Sequence, residues 1–118
     1  MTRITSLARI ALFAAAAFAL VMASLPQPPQ LPGAPSDKVQ HIIAFLTLGA
    51  LAALAFPTRS IIRLCIALGL FGGVIELVQM IPALNRDASW LDLAADMGAA
   101  IVSLALMRIG ARALNLEN

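Results

Sequence analysis

The sequence predicts an all-α, polytopic membrane protein: a bundle of four transmembrane helices that forms a single domain over residues 1–118. Three observations carry this prediction. Apolar residues make up 61% of the 118 residues, the mean hydropathy is +0.92, and charged residues are only 12%, about half their usual share in a soluble domain. The apolar residues fall into four long runs. This composition excludes a disordered chain, a nucleic-acid-binding module and an ordinary cytosolic enzyme.

The four runs cover about residues 7–25, 37–56, 61–81 and 90–109. A helix rises about 1.5 Å per residue, so roughly 20 residues cross a hydrocarbon core of about 30 Å. The second run reaches that length only if its polar start, residues 36–40, extends into the headgroup layer. Because a spanning segment must satisfy its own backbone hydrogen bonds, each run is predicted to be a helix.

Prolines and turn residues separate the four runs. Five prolines between positions 26 and 35 prevent a helix in the first loop and make it extended and stiff. The second break is a tight turn over residues 57–60, and the third is a loop over residues 82–89.

Small residues at four-residue spacing predict close packing between these helices. The Gly69–Gly73 pair fits internal packing and a homo-oligomer equally well, so both interpretations stay open. The pairs are Gly69 with Gly73, Ala94 with Gly98, and Ala95 with Ala99.

The basic residues predict the orientation. Six lie at the end of the bundle that the two termini share, and only Lys38 and Arg86 lie at the other end, which also holds five of the six acidic residues. The positive-inside rule then predicts a multi-pass membrane protein with both termini in the cytoplasm. The six are Arg3, Arg9, Arg59, Arg63, Arg108 and Arg112.

The first run also has features of a secretory signal peptide. It has a basic start and a small-residue sequence, residues 21–23, that fits a cleavage site. Its apolar part is about 19 residues long, against a usual upper limit near 15, so a retained helix is the favoured interpretation. Cleavage would leave the orientation of the other three helices unchanged.

Polar side chains gather near the outer ends of three predicted helices. A charge at the centre of a membrane helix costs roughly 2.5–3.5 kcal/mol, so such residues persist where they pair, contact water or act on a ligand. Spacings of three and four residues put the polar side chains of each helix on one face. We therefore predict one outer pocket. Its residues are Asp37, Lys38, His41, Glu76, Gln79, Arg86, Ser89, Asp92 and Asp96.

The order of these residues resembles the VanZ-like family of small membrane proteins, named after a teicoplanin-resistance protein. The family outline is Asp-Lys-x-x-His at a helix start, then Glu-x-x-Gln, then Arg followed by Ser and Asp before the last helix. The resemblance covers about residues 36–100, with matches at 37–41, 76–79 and 86–92. Asp96 stands where family members usually carry Asn, and Ala99 where they carry Gly.

The resemblance implies a cell-envelope context, with a link to glycopeptide (teicoplanin) resistance, and no particular reaction. The first hypothesis is a non-enzymatic envelope protein. Its pocket would bind an anionic lipid headgroup, a lipid-linked wall precursor or a partner protein. Arg86 can hold a phosphate in bidentate fashion, and the alternative for Arg86 is a loop ion pair with Asp87.

The second hypothesis is a membrane-embedded hydrolase or transferase that acts on a lipid-linked phosphate or ester. Its candidate catalytic residues are His41, Glu76 and Asp92. His41 and Glu76 would perform acid–base chemistry, Asp92 would orient His41, and Arg86 would stabilise negative charge. The first hypothesis is preferred, because the chain lacks a nucleophile motif and a glycine-rich phosphate loop.

The histidine and the carboxylates have two other interpretations, a metal site and purely structural roles. His41, Glu76, Asp92 and Asp96 are residue types that bind a divalent cation. Hard-ion sites usually show more carboxylates in a tighter motif, so the sequence predicts no metal and no cofactor. The structural alternatives are an interhelical hydrogen bond for His41, an ion pair for Glu76, and a helix cap for Asp92.

Overall fold

The computed structural model describes residues 2–26, 37–86 and 88–114. The proline-rich stretch 27–36, Asp87, Glu117 and the side chain of Asp37 lie outside the described residues, and so do the predictions made for them. The described chain is helical, and four helices are long and apolar enough to cross a membrane. They are α1 (Arg3–Ser24), α2 (Asp37–Ala55), α3 (Ile61–Gln79) and α4 (Trp90–Ala113).

Hydroxyl side chains begin three of the helices. Thr2 caps α1 by accepting from the backbone N–H of Thr5, and Ser60 and Ser89 cap α3 and α4 in the same way. Helix α1 starts four residues before the predicted start, and α4 runs four residues beyond the predicted end. Backbone hydrogen bonding thus continues past the apolar runs that defined the prediction.

Helix α3 ends two residues earlier than predicted, because Ile81 leaves the helical conformation and Pro82–Leu84 form a short 3-10 turn. Asn85 closes this turn with a left-handed backbone (φ 51°), which asparagine tolerates better than most residues. The chain therefore reverses between α3 and α4, and Arg86 comes out next to the end of α1.

The four helices run up and down, so that each end of the bundle collects alternate helix ends. Arg9 contacts Ala55, and Arg108 contacts Phe56; we call this the terminal end, because α1 begins and α4 ends there. At the opposite, distal end, Gln79 contacts Ala23. The bundle measures 46 × 24 × 23 Å. Helix α2 packs mainly on α4 and α1, α3 packs mainly on α4, and α1 contacts α3 only slightly.

The closest helix approach lies between α2 and α4. A Cβ added at Gly49 would lie 2.6 Å from the carbonyl oxygen of Ala100, and would also overlap the Ser103 hydroxyl. Within one chain the predicted close approach at Gly73 and Gly98 is not found, because a Cβ at either position would have no non-local atom within 4 Å among the described residues; the homo-oligomer stays a prediction. The buried core around the contact consists of Phe45, Leu48, Ala52, Ala100 and Leu104.

Two arginines close the terminal end. Arg9 Nε donates to the carbonyl of Ala55 at 2.8 Å, and its guanidinium lies 4.6 Å from the ring centroid of Phe56. Arg108, which is buried, donates from Nη2 to the carbonyl of Phe56 at 3.1 Å. Carbonyls at a helix C-terminus lack intrahelical partners and carry partial negative charge. Both cations therefore stabilise the end of α2.

Candidate functional site

Four polar side chains from three helices meet inside the distal end. They are His41 of α2, Glu76 and Gln79 of α3, and Asp96 of α4, and we call them the distal cluster. Glu76 and Gln79 are each 1% exposed and Asp96 is 2% exposed, while the His41 side chain is 14% exposed. The predicted convergence of these four residues is confirmed.

His41 lies at the centre of the distal cluster. Its Nδ1 atom is 3.5 Å from Oδ2 of Asp96, and its Nε2 atom is 3.5 Å from Nε2 of Gln79. Both distances are longer than the usual donor–acceptor distance of a hydrogen bond, about 2.7–3.2 Å. The ring is therefore held between a carboxylate and an amide without a short hydrogen bond to either.

Two backbone groups complete the contacts of the distal cluster. Glu76 Oε2 accepts a 2.9 Å hydrogen bond from the backbone N–H of Ser89, so the carboxylate binds the residue that caps α4. Gln79 Nε2 donates to the carbonyl of Ala23 at 3.3 Å, near the end of α1. The cluster thus joins all four helices at one level.

The enzyme hypothesis had Asp92 orient His41, and the structure does not show this contact among the described residues. Asp96, rather than Asp92, lies beside the imidazole, because Asp92 is one helical turn closer to the start of α4. Asp92 instead contacts Lys38 through Oδ1 at a distance of 3.7 Å, and the side chains of Lys38 and Asp92 are 58% and 25% exposed. These two residues form the rim of the site. The backbone N–H of Asp92 donates to Ser89 Oγ at 3.4 Å, as the cap of α4.

Arg86 is directed toward α1. Its Nε atom donates to the carbonyl of Leu25 at 3.0 Å, and its Nη2 atom donates to the carbonyl of Met22 at 2.7 Å. The guanidinium therefore caps the C-terminal end of α1, in the way that Arg9 and Arg108 cap α2. These hydrogen bonds use N–H donors of Arg86 that the first hypothesis assigned to a phosphate.

The distal cluster has acceptor atoms to spare. Oδ1 of Asp96 and Oε1 of Gln79 are buried and have no hydrogen-bond partner among the residues that the structure describes. One ligand atom each from His41, Glu76 and Asp96 lie within 4.8 Å of one another, so these three residues are the ones that could hold a metal ion. Asp92 does not belong to this group. A buried acceptor without a partner is costly, so the arrangement favours an additional positively charged or donating species.

An apolar groove of about 550 Å³ runs along the bundle below the distal cluster, a size within the usual range of ligand pockets, roughly 300–1,000 Å³. It opens at the surface, because Phe13, one of its lining residues, is 63% exposed. Its walls come from α1, α2 and α3. They include Leu12, Ala16, Leu20, Leu48, Leu68 and Phe71.

One end of the groove approaches the distal cluster, and the other reaches the terminal end, where Phe56 is one of its lining residues. Leu20 lies three residues before Ala23, about 4.5 Å of helix rise, and Phe71 lies five residues before Glu76, about 7.5 Å. The sequence analysis did not find the groove, because it arises where α1 and α3 fail to pack closely. It also missed Arg9 and Arg108, although an arginine inside a predicted span is itself a sign of a partner at the helix end.

No family model, curated protein or solved structure matches this chain.

Proposed function

We propose that the chain is a small VanZ-like protein of the bacterial cytoplasmic membrane, with both termini in the cytoplasm, that binds an anionic lipid of the cell envelope at its distal end. The lipid headgroup contacts the rim formed by Lys38 and Asp92, and one lipid chain occupies the apolar groove. The observation that carries the proposal is the position of this groove, which opens on the side of the bundle and whose lining residue Phe71 lies about 7.5 Å of helix rise below Glu76.

The shape of the site supports an amphipathic ligand. Along α1 the groove extends from Leu12 to Leu20, which corresponds to about 12 Å of helix rise. All four helices are long and apolar enough to cross a membrane, so an open groove between two of them faces lipid chains. Burying part of a chain against such walls gains dispersion contacts that a void would lose.

The charge at the rim supports an anionic headgroup. Lys38 is half-exposed, and its ion pair with Asp92 is long at 3.7 Å. An exposed pair of this kind is worth only about 0–1 kcal/mol, so a phosphate can displace Asp92 from the ammonium group at little cost. A lipid-linked wall precursor and an ordinary phospholipid share this chemistry. The resemblance to VanZ-like proteins adds lowered teicoplanin susceptibility as an expected phenotype.

The test is photo-cross-linking with phosphatidylglycerol that carries a photoreactive group on one acyl chain, in nanodiscs that hold the full chain. We expect cross-links to concentrate on the groove residues. Ala16→Phe fills the groove and should lower the yield several-fold. Ala14→Phe is the matched control, because Ala14 is an exposed residue of the same helix and does not line the groove.

The headgroup is tested by competition. Lys38→Gln should abolish the preference for phosphatidylglycerol over phosphatidylcholine, and Lys38→Arg should keep it. Cross-links spread evenly over the lipid-facing surface, or an unchanged yield in Ala16→Phe, would overturn the proposal. Competition by a lipid diphosphate, but not by phosphatidylglycerol, would identify the wall precursor as the ligand.

One contact favours a second candidate function, a hydrolase or transferase acting on a lipid-linked phosphate or ester. His41 Nδ1 faces Asp96 Oδ2 at 3.5 Å, which is the relationship of a general base to the carboxylate that orients it. In this case His41→Gln abolishes turnover of a lipid-linked phosphate and leaves the cross-linking yield unchanged. A wild-type chain that binds the lipid and releases no product excludes this candidate.

A further inference from the structure

We propose that His41, Glu76 and Asp96 form a binding site for one divalent first-row metal ion of the Zn²⁺ type. The site takes one ring nitrogen and two carboxylate oxygens as ligands, a donor set that Zn²⁺ accepts. It lies inside the distal cluster, and the proposal is independent of the lipid proposed above.

The spacing of the donor atoms fits a shared ion. Two ligands at about 2.0–2.1 Å from a tetrahedral Zn²⁺ lie about 3.3–3.4 Å apart, and His41 Nδ1 lies 3.5 Å from Asp96 Oδ2. A direct hydrogen bond between these atoms would be shorter, about 2.7–3.2 Å. One ligand atom of Glu76 belongs to a set whose three atoms all lie within 4.8 Å of one another, so side-chain shifts of at most about 1.4 Å would bring them to the spacing of a shared ion.

Two buried atoms independently indicate a missing cation. Asp96 Oδ1 and Gln79 Oε1 have no hydrogen-bond partner within the described part of the chain, and both residues are at least 98% buried. The Gln79 amide abuts the imidazole, with Nε2 of Gln79 at 3.5 Å from Nε2 of His41. Its oxygen is therefore a second buried acceptor, close to the ring, that has no partner among the described residues.

The charge balance supports the same inference. The distal cluster holds two carboxylates that are at most 2% exposed and one imidazole that is 14% exposed. Nearby positive groups bind other partners: Lys38 contacts Asp92, and Arg86 donates to the carbonyls of Met22 and Leu25. Buried carboxylates are stable when they are paired or coordinate a metal. A divalent ion neutralises both carboxylates at once.

The single histidine of the chain makes the test direct. The full chain, produced with a histidine-free affinity tag and isotope-labelled histidine, gives one imidazole in the nuclear magnetic resonance spectrum. We expect the metal-free protein to bind one Zn²⁺ per chain, and the His41 ring nitrogen signals to shift on binding. Co²⁺ in place of Zn²⁺ should give the visible absorption of an ion with a nitrogen ligand.

Variants locate the ion. Asp96→Asn, Glu76→Gln and His41→Ala should each weaken Zn²⁺ binding by at least about ten-fold, the loss typical even of residues one shell further out. Asp92→Asn is the matched control, because Asp92 lies on the same helix as Asp96 and outside the ligand group, and it should keep full affinity. Circular dichroism checks that each variant retains its helices.

If the variants fail to fold, measurements on the unmodified chain still decide the proposal. An unmodified chain that binds no Zn²⁺, Mn²⁺ or Co²⁺ at micromolar concentration, or an imidazole signal that does not move when the ion binds, overturns it. Equal weakening by Asp92→Asn and Asp96→Asn also overturns it, because the ion would then lie at the exposed rim. If Glu76 and Asp96 instead share a proton, the unmodified chain binds no metal ion, and the proposal is overturned.

Discussion

The two ends of the bundle use polar side chains in opposite ways. At the terminal end, Arg9 and Arg108 donate to backbone carbonyls that close α2, so the cations serve the fold itself. At the distal end, Arg86 does the same for α1, but beside it lie two buried carboxylates with an acceptor atom to spare. A helix end needs donors for its carbonyls, and Glu76 accepts from the backbone of Ser89, whereas one carboxylate oxygen of Asp96 has no partner among the described residues. Nε of Arg108 at the terminal end is also buried without a described partner, but it is a donor on a cation, so the unpartnered acceptors at the distal end are the ones that could bind a positive ion.

The largest effect on stability is expected at the terminal end. Arg108→Met removes a charged donor from the part-buried carbonyl of Phe56 and should lower the free energy of unfolding by about 1.5–3 kcal/mol. The measurement is unfolding in mixed detergent micelles, followed by circular dichroism. Arg59→Met, at an exposed turn of the same end, is the control and should change stability little. Equal stability of the two variants would contradict a structural role for Arg108.

The helix contact at Gly49 lies between the two ends of the bundle. It links them, because it fixes how α2 and α4 are rotated relative to each other. Gly49→Ala should lower the free energy of unfolding by about 1–3 kcal/mol, since the added methyl overlaps the Ala100 carbonyl. Gly98→Ala adds the same methyl to α4, where no non-local atom of the described chain lies within 4 Å, and should be neutral or stabilising. A Gly49→Ala protein as stable as the wild type would mean that the helices pack differently.

Removing the buried carboxylate of Asp96 at the distal end should change the free energy of unfolding little. In metal-free protein, Asp96→Asn should change the free energy of unfolding by less than about 1 kcal/mol, or raise it, because an incompletely paired buried carboxylate is itself destabilising. The same micelle unfolding measurement applies, and Asp92→Asn is the matched control at the rim. A loss as large as that of Arg108→Met would show that Asp96 holds the fold together.

The smallest effect is expected at the rim. Lys38→Gln breaks a half-exposed pair with Asp92 and should lower the free energy of unfolding by at most about 1 kcal/mol, while it removes the preference for an anionic lipid. Thermal unfolding at low and high salt is the measurement, and salt should reduce the small difference further. A loss of several kcal/mol would make Lys38 part of the structural framework.

Much of the fold could be predicted from the sequence, because apolar runs and prolines define where helices begin and end. The helices were predicted within four residues at every described boundary. The largest differences, at Arg3 and Ala113, lie where polar residues extend a helix beyond its apolar run. The closest helix contact was missed: it lies at Gly49, which pairs with Ala53 at four-residue spacing, a signal equal to that of the pairs that were chosen.

The composition of the distal site could also be predicted, but its pairing could not. Spacings of three and four residues fix which side chains share a helix face, and so they indicated that His41 and Glu76 meet α4. Whether Asp92 or Asp96 contacts His41 depends on the height and rotation of α4, which the Gly49 contact sets. The acceptors of Arg86 are backbone carbonyls 61 and 64 residues away. Because every residue has a carbonyl, the sequence does not indicate which ones Arg86 contacts.

The central claim is that the distal end holds a cation site and the terminal end does not. The most direct test is unfolding of the wild type, Asp96→Asn and Arg108→Met with and without Zn²⁺. At about 100 times the wild-type dissociation constant, Zn²⁺ should raise the free energy of unfolding by about 2.7 kcal/mol in the wild type and in Arg108→Met, and by no more than about 1.4 kcal/mol in Asp96→Asn. A Zn²⁺ effect that is absent from all three, or equal in all three, would contradict the claim.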